Sequence, residues 1–349
     1  MVKSIMLAAA AALAAGSAAS AQADNFCSTA LLQVENDPTL ALELMLSAPS
    51  PDLECAGGAV EAKLLKAYAY YKSAGKSREF DDLRSALSDY DKSGAGPSRL
   101  LGLALIEIAR RRLAEGNERA LRTAERAEQV LLASAPDDIG ARARAILLQS
   151  ATTLIKQPSF ASDLIDAFDR ASRARSLFGD ATATSSSDHL EAVAWQAAIL
   201  GIIAGNRRAQ VDEAIASSAL AVGPASCDAA WDRSALASVN RRTSWSGSMM
   251  SGGGFLGVVA VVDAADDGTA VLAGIVSEAR LPSIEPVQEA KFLSRDKAVR
   301  SALKRWRLSD GAAADCRSGV LAPLGVYIRE ADSAGAILRD WPLNYTPSE

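Results

Sequence analysis

The sequence predicts two domains: an all-α helical-repeat domain, and after it a small α+β domain with the order strand, strand, helix, strand. Residues 26–223 are dominated by Ala, Leu, Arg and Glu in helical spacing, whereas residues 243–254 are rich in Ser and Gly, as linkers are. Runs of β-branched residues begin beyond that linker. A chain of 349 residues is also longer than one core normally supports. We therefore expect a helical domain over 24–223, a linker over 224–254 and a sheet domain over 255–349.

Residues 1–23 have the three-part layout of a secretory signal peptide. Lys3 is followed by an apolar stretch from Ile5 to about Ala15 and by the small-residue ending Ala21-Gln22-Ala23. The stretch is shorter than the ~20 residues that a membrane-spanning helix needs. We expect cleavage after Ala23, a periplasmic mature protein and no integral membrane span after processing. A retained membrane anchor and lipidation at Cys27 are the alternatives.

Turn-forming residues divide the helical part into four pairs of helices. Gly, Pro and Asn-containing turns separate the apolar-periodic segments. The predicted spans are 57–74 with 77–92, 98–115 with 117–134, 138–156 with 159–178, and 188–204 with 207–222.

The second helix of three pairs carries a stripe of small residues. The stripes are Ala120, Ala124 and Ala127; Ala167, Ala171 and Ala174; and Ala214, Ser218 and Ala221. Small residues at this spacing let neighbouring helices approach closely, and their repetition indicates stacked helical hairpins. The region, with Gly116-Asn-Glu-Arg-Ala120 as its best local match, resembles a tetratricopeptide-type array. An irregular helical bundle is the alternative.

The last third of the chain begins with a predicted β-hairpin. The runs Val258–Val262 and Val271–Val276 flank Asp266-Asp267-Gly268, and an Asp-Gly pair between such runs is typical of a tight turn. A short helix is predicted over Asp296–Leu303 and a third strand over Leu324–Ile328.

These segments resemble the C-terminal domain of the TonB family of periplasmic energy transducers. The matching pieces are Gly257–Val262, Asp267-Gly268, Gly274–Ser277, Ala298–Arg307 and Leu324–Ile328. The resemblance implies that an extended peptide, such as a segment of an outer-membrane receptor, joins the sheet as a further strand. We expect the strand Leu324, Gly325, Val326, Tyr327 and Ile328 to form the sheet edge that binds the partner.

The resemblance also suggests roles for residues beside that strand. It implies that Trp306 packs under the sheet while Arg305 and Arg307 extend outward, where they can contact a partner. The tail from Ile337 to Tyr345 is expected to cover the edge, either as a displaceable segment or as a permanent strand.

The chain has four cysteines, and in an oxidising compartment these pair more often than they react. Three connectivities are available. Local pairing within each region predicts the disulfides Cys27–Cys55 and Cys227–Cys316.

No catalytic, metal or cofactor site is predicted. The only histidine, His189, has no second His or Cys at ligand spacing, and we expect it to be an exposed first-turn residue beside an Asp188–Glu191 capping box. The adjacent acidic pairs Asp81-Asp82, Asp137-Asp138 and Asp266-Asp267 are interpreted as helix-start and turn residues. A carboxylate-dependent enzyme acting on the cell wall is the alternative interpretation.

The formal charge of −5, or −6 once Lys3 is removed, argues against general binding to nucleic acid. The sequence therefore predicts a non-enzymatic adaptor for protein partners of the cell envelope, one at the sheet edge and one in a groove of the helical repeats. If residues 1–23 stay attached as an anchor, a TonB-type energy transducer is predicted instead.

Overall fold

The computed structural model describes residues 27–47, 55–155, 161–178, 186–205, 227, 230–232, 253–281, 296, 299–300, 303–304, 306–329 and 339–342. Within these residues, helices form the N-terminal part and a small antiparallel sheet forms the C-terminal part, as the sequence predicts. The predicted signal peptide, the predicted helix 207–222 and the third small-residue stripe lie outside the described residues.

Nine helices occur in the described N-terminal part. They are α1 (27–36), α2 (Pro38–Ser47), α3 (Gly58–Ala74), α4 (Ser77–Ser93), α5 (Arg99–Ala114), α6 (Arg119–Ser134), α7 (Ile139–Ile155), α8 (Ala161–Ser176) and α9 (Ser187–Gly205). The bounds of α3–α9 lie within two residues of those predicted, because glycines and prolines mark the ends. Gly75 and Gly94, for example, end α3 and α4 at φ of 62° and 71°, a conformation that glycine adopts without strain. The helices α1 and α2 are additional to the prediction.

Contacts divide the chain into two compact units. The first unit is formed by the described residues of Met1–Ile108 with Arg126–Pro136, and the second by Ala109–Glu125 with the described residues of Asp137–Glu349. This division is based on contacts between residues. The domain boundaries that the composition indicates, a helical domain over 24–223 and a sheet domain over 255–349, stay a prediction.

The first unit is held together by an apolar core and by ion pairs between helices. Leu64, Leu65 and Leu83 are buried between α3 and its neighbours. The Lys72 Nζ atom lies 3.0 Å from Oε1 of Glu107, a residue that is otherwise surrounded by apolar positions of α5. The predicted Cys27–Cys55 disulfide is confirmed, and it links the start of α1 to the residue three before α3.

In the second unit, α7, α8 and α9 pack side by side. The predicted stripe of Ala167, Ala171 and Ala174 on α8 is fully buried, as small residues at a helix–helix contact should be. The Ser150 hydroxyl of α7 donates a 2.6 Å hydrogen bond to the carbonyl oxygen of Ala167. This direct hydrogen bond brings α7 and α8 close together, so the side chains at the contact between the two helices must be small.

The described strands form one sheet of four and one of two. They are β1 (Trp231–Asp232), β2 (Gly253–Ala264), β3 (Ala270–Leu281), β4 (Arg307–Leu308), β5 (Val320–Arg329) and β6 (Arg339–Pro342). The larger sheet has the order β3-β2-β5-β6 with every neighbour antiparallel, and β1 pairs with β4 in the smaller one. Gly268 has a φ of 76° in the β2–β3 turn, as the Asp-Gly signal predicts.

A helix follows β3 at the predicted place. Asp296, Val299, Arg300 and Leu303 are helical, and the Lys304 amide donates to the Arg300 carbonyl oxygen at 3.2 Å. The order strand, strand, helix, strand is therefore present in the described residues.

Candidate interaction edge of the sheet

One face of the four-stranded sheet is covered by a core of its own. Alternate residues of the strands face this side because successive side chains in a strand point to opposite faces. The core contains Val258, Ala260 and Val262 of β2, Val320, Ala322 and Leu324 of β5, and Val299, Leu303, Trp306 and Trp231. Trp306 is 1% exposed, so it packs under the sheet as the resemblance implies. The predicted Cys227–Cys316 disulfide is confirmed and belongs to the same core.

The opposite face is covered by helix α9. Leu190, Val193 and Ala194 of α9 pack on Val259 and Ala279, which lie on β2 and β3. The helix is buried all round over much of its length, which explains why its sequence lacks a polar face.

Gly257 makes the contact between α9 and β2 possible. A Cβ atom at this position would overlap the carbonyl oxygen of Ala194 and lie 2.7 Å from the Ala198 nitrogen. The backbones of strand and helix therefore touch directly. Only glycine fits where two backbones approach this closely.

Both faces of the sheet are covered, so a partner can reach the sheet only at its edges. A partner strand pairs there with the backbone groups of the edge strand. The β3 edge, meaning the side of β3 that faces away from β2, is irregular. The β2–β3 register shifts between Val259 and Ala260 and again between Val261 and Val262, so Ala273 and Val276 are left without a partner on β2. Such bulges twist an edge and weaken its ability to accept a strand.

The start of the β3 edge is also occupied by the chain itself. The Ala270 amide donates to the Trp306 carbonyl oxygen at 3.3 Å, and the Leu308 amide donates to the Gly268 carbonyl oxygen at 2.8 Å. Arg307 forms an isolated bridge with Thr269 in the same place.

The β5 edge, meaning the side of β5 that faces away from β2, has regular geometry. The β2–β5 ladder runs through ten consecutive pairs, from Gly253 with Arg329 to Val262 with Val320, without a register shift. The tail strand β6 lies along this edge and pairs Leu324 with Pro342 and Tyr327 with Arg339 at its two ends. The tail therefore covers four residues of a ten-residue strand.

The predicted partner-binding residues do not all lie together. Leu324, Gly325, Val326, Tyr327 and Ile328 lie in β5, where the first two are buried and the first four pair with β6. Arg307 lies in β4, beside β3 and so at the other side of the sheet, where its Nη1 atom donates to the carbonyl oxygens of Lys304 and Trp306 at 2.9 Å. Arg305 lies outside the described residues.

The turn between β2 and β3 carries the clearest electrostatic effect in the sheet. Oδ1 of Asp267 accepts hydrogen bonds from the Thr269 hydroxyl at 2.6 Å and from the Thr269 amide at 2.9 Å. These bonds stabilise the ionised carboxylate and lower the pKa of Asp267 below its usual value. Asp267, of the acidic pair Asp266-Asp267, therefore has a structural role in the turn.

The other acidic pairs also have local structural contacts. Oδ1 of Asp138 accepts a 3.0 Å hydrogen bond from the Ala141 amide at the start of α7. Oδ1 of Asp81 lies 3.5 Å from Nη1 of Arg84, one turn further along α4. Asp81 is thus inside α4, whereas the prediction placed this pair at a helix start.

The prediction for His189 is wrong, because the residue is completely buried. Its ring stacks on Phe178 at a centroid distance of 5.3 Å, and tertiary packing of this kind leaves no local signal. The cap of α9 is also two residues earlier than expected, since the His189 amide donates to the Ser186 hydroxyl oxygen at 3.3 Å.

Among the described residues, the side chains of Cys227, Asp315 and Cys316 form one cluster of potential metal ligands. The two sulfur atoms are bonded to each other in the disulfide, which removes them as thiolate ligands. No helix in the described ranges combines the length and apolar character needed to cross a membrane.

No protein-family model, curated protein or solved structure matches this chain. The interpretation of the sheet therefore depends on its own geometry.

Sequence reasoning missed the docking of α9 on the sheet and the two bulges of β3. Signals for the first were present: a glycine inside the β2 run, and a helix that is apolar on all sides. The bulges had no comparable signal, because Val276 and its neighbours fit a regular strand equally well.

Proposed function

We propose that this chain is an exported, non-enzymatic adaptor whose sheet binds an extended segment of a cell-envelope protein along the β5 edge. The proposal follows the TonB-like order of strands and helix. The single observation that carries it is the pairing of β6 with β5, because this edge accepts a short extended segment in antiparallel register.

The arrangement of the sheet favours this edge over any other surface of the sheet. Its two faces are covered by α9 and by the core around Trp306. The β3 edge has two bulges and is bridged at its start by Arg307. The β5 edge has no register shift along its ladder with β2, and the segment that pairs with it is the four-residue strand β6. A partner strand is therefore expected to add there in place of β6.

The tail strand is short enough to be replaced. It pairs with Leu324–Tyr327, and within the described residues no strand lies beside the other six residues of β5 on that side. A net backbone hydrogen bond contributes about 1 kcal/mol, so a partner segment that pairs along more of β5 than the tail does gains stability with each further bond. The Arg305 and Arg307 side chains are not required in this account.

The helical part supplies the second interaction surface of the proposed adaptor. Two disulfides are in keeping with an oxidising compartment such as the periplasm. The groove expected from the tetratricopeptide resemblance stays a prediction.

Photo-crosslinking in intact cells tests the sheet edge. A crosslinking amino acid at Tyr327, in β5, should capture a defined envelope protein, whereas the same group at Val276, on the bulged β3 edge, should not. Equal capture patterns from the two positions would contradict strand addition at β5.

The N-terminus of the mature protein tests the role. Asp24 as first residue supports an adaptor, whereas a chain that retains residues 1–23 favours an energy transducer. Loss of a cell-wall phenotype on changing a single acidic residue, with the fold intact, would instead favour the enzyme interpretation.

A further inference from the structure

The helices α1 and α2 form an almost continuous rod at the start of the described chain. The Asp37 amide donates to the Gln33 carbonyl oxygen at 2.7 Å, and the Ala41 amide donates to the Asp37 carbonyl oxygen at 3.0 Å. Oδ1 of Asp37 also accepts from the amides of Thr39 and Leu40, each at 3.1 Å, and so caps α2. Asp37 is therefore fixed at the point where α2 begins.

The rod buries one side and exposes leucines on another. Ala30, Leu31, Val34, Ala41 and Met45 are buried. Leu40 and Leu44, which lie one turn apart on α2, are 44% and 45% exposed, and Leu32 and Leu46 are exposed further still.

This exposure is concentrated rather than scattered. Nine large hydrophobic side chains are exposed in the described residues, and four of them are leucines of α1 and α2. Single exposed leucines are normal on protein surfaces, but Leu40 and Leu44 lie one turn apart on the same face of α2, which indicates a contact surface.

The charged residues of the rod itself are all acidic. Residues 27–47 contain Glu35, Asp37 and Glu43 and no Lys, Arg or His. Glu35 is paired with Arg99 at 2.7 Å, whereas Asp37 and Glu43 are exposed. Each of these two lies three residues from Leu40, and Glu43 adjoins Leu44, so carboxylates border the exposed leucines.

We propose that Asp37, Leu40, Glu43 and Leu44, which we call the α2 surface, form a docking site for a basic amphipathic helix of a partner protein. The leucines would pack against the apolar face of that helix, and the carboxylates would lie beside its Lys or Arg residues. The proposal goes beyond strand addition at the β5 edge and does not depend on it.

Charge also argues against two other occupants. A second copy of this chain in a two-fold contact would place the same carboxylates opposite each other, which is unfavourable. An anionic membrane surface would repel them. A cationic partner is the one that the surface complements.

The test uses the full mature chain and two synthetic helical peptides that share one leucine face, one carrying Lys on its other face and one carrying Glu. Fluorescence polarisation should show binding of the Leu/Lys peptide and not of the Leu/Glu peptide. The double change Leu40→Gln with Leu44→Gln should weaken binding by about tenfold or more. The change Glu43→Lys should weaken it too, and added salt should mimic that effect.

A matched control is Leu132→Gln, since Leu132 is a 54% exposed leucine on α6. This variant should bind the Leu/Lys peptide as the unchanged chain does, and all variants should retain the far-ultraviolet circular dichroism of the unchanged chain. The proposal is overturned if the two peptides bind equally, or if Leu132→Gln weakens binding as much as the α2 change. It is also overturned if the unchanged chain self-associates in sedimentation, or binds phosphatidylglycerol vesicles, and the double change Leu40→Gln with Leu44→Gln abolishes that property.

Discussion

At the scale of single residues, Gly257 is the described glycine at which an added Cβ atom would come closest to another atom. The change Gly257→Ala places a methyl group on the Ala194 carbonyl oxygen, so β2 or α9 must move. Overpacking typically costs roughly 1–3 kcal/mol of the free energy of unfolding, and a clash between two backbones is expected at the upper end of that range. Gly274→Ala is the control, because a Cβ atom at Gly274 meets nothing within 4 Å. Urea denaturation should show a large loss for Gly257→Ala alone, and equal midpoints for the two variants would contradict the packing described.

Asp267 gives a pH-dependent prediction at the same scale. Its pKa is lowered in the folded chain by the hydrogen bonds from Thr269, so its contribution to stability is present above the ordinary pKa. That contribution is lost as the pH falls through the lowered value. The change Thr269→Ala removes the hydroxyl donor and should raise the pKa of Asp267 towards its ordinary range. Carboxyl titration by nuclear magnetic resonance measures this, and an unchanged titration would show that the hydroxyl has no effect.

At the scale of elements, α9 belongs to the core of the sheet. A fragment of residues 224–349 lacks α9 and leaves Val259, Ala279 and Leu321 uncovered. It should therefore unfold without a sharp transition and bind a hydrophobic dye, whereas a fragment of residues 137–349 should melt cooperatively. Calorimetry distinguishes the two fragments, and equally cooperative melting would show that the sheet is stable without the helix.

The elements also show what the sequence can and cannot predict. Helix bounds and the hairpin turn at Gly268 were predictable because caps and glycines are local signals. Both disulfides were predictable because each joins the two cysteines of one region of the chain. The burial of His189 and the docking of α9 were not, since they depend on residues distant in sequence. For the candidate edge, the strand Leu324–Ile328 and its cover by the tail were anticipated, but the position of Arg307 on the far side of the sheet depends on strand order.

At the scale of the whole molecule, the two disulfides constrain loops of different length. Cys27–Cys55 spans 28 residues and Cys227–Cys316 spans 89. A longer loop loses more entropy in the unfolded chain, which makes the second bond the more stabilising by about 1 kcal/mol. Replacing each pair by serines and measuring the unfolding of the unit that contains it should give the larger loss for Cys227–Cys316. The reverse order would mean that loop entropy does not dominate.

In the proposed function, the β5 edge accepts a partner strand in place of the tail. The most direct measurement is the yield of the crosslinked partner from Tyr327 in intact cells, compared between the full chain and a chain that ends at Glu330. Without the tail strand Arg339–Pro342 the edge is uncovered, so the same partner should be captured in several-fold higher yield. An unchanged yield, or loss of the captured partner at an equal level of folded protein, would contradict strand addition at the β5 edge.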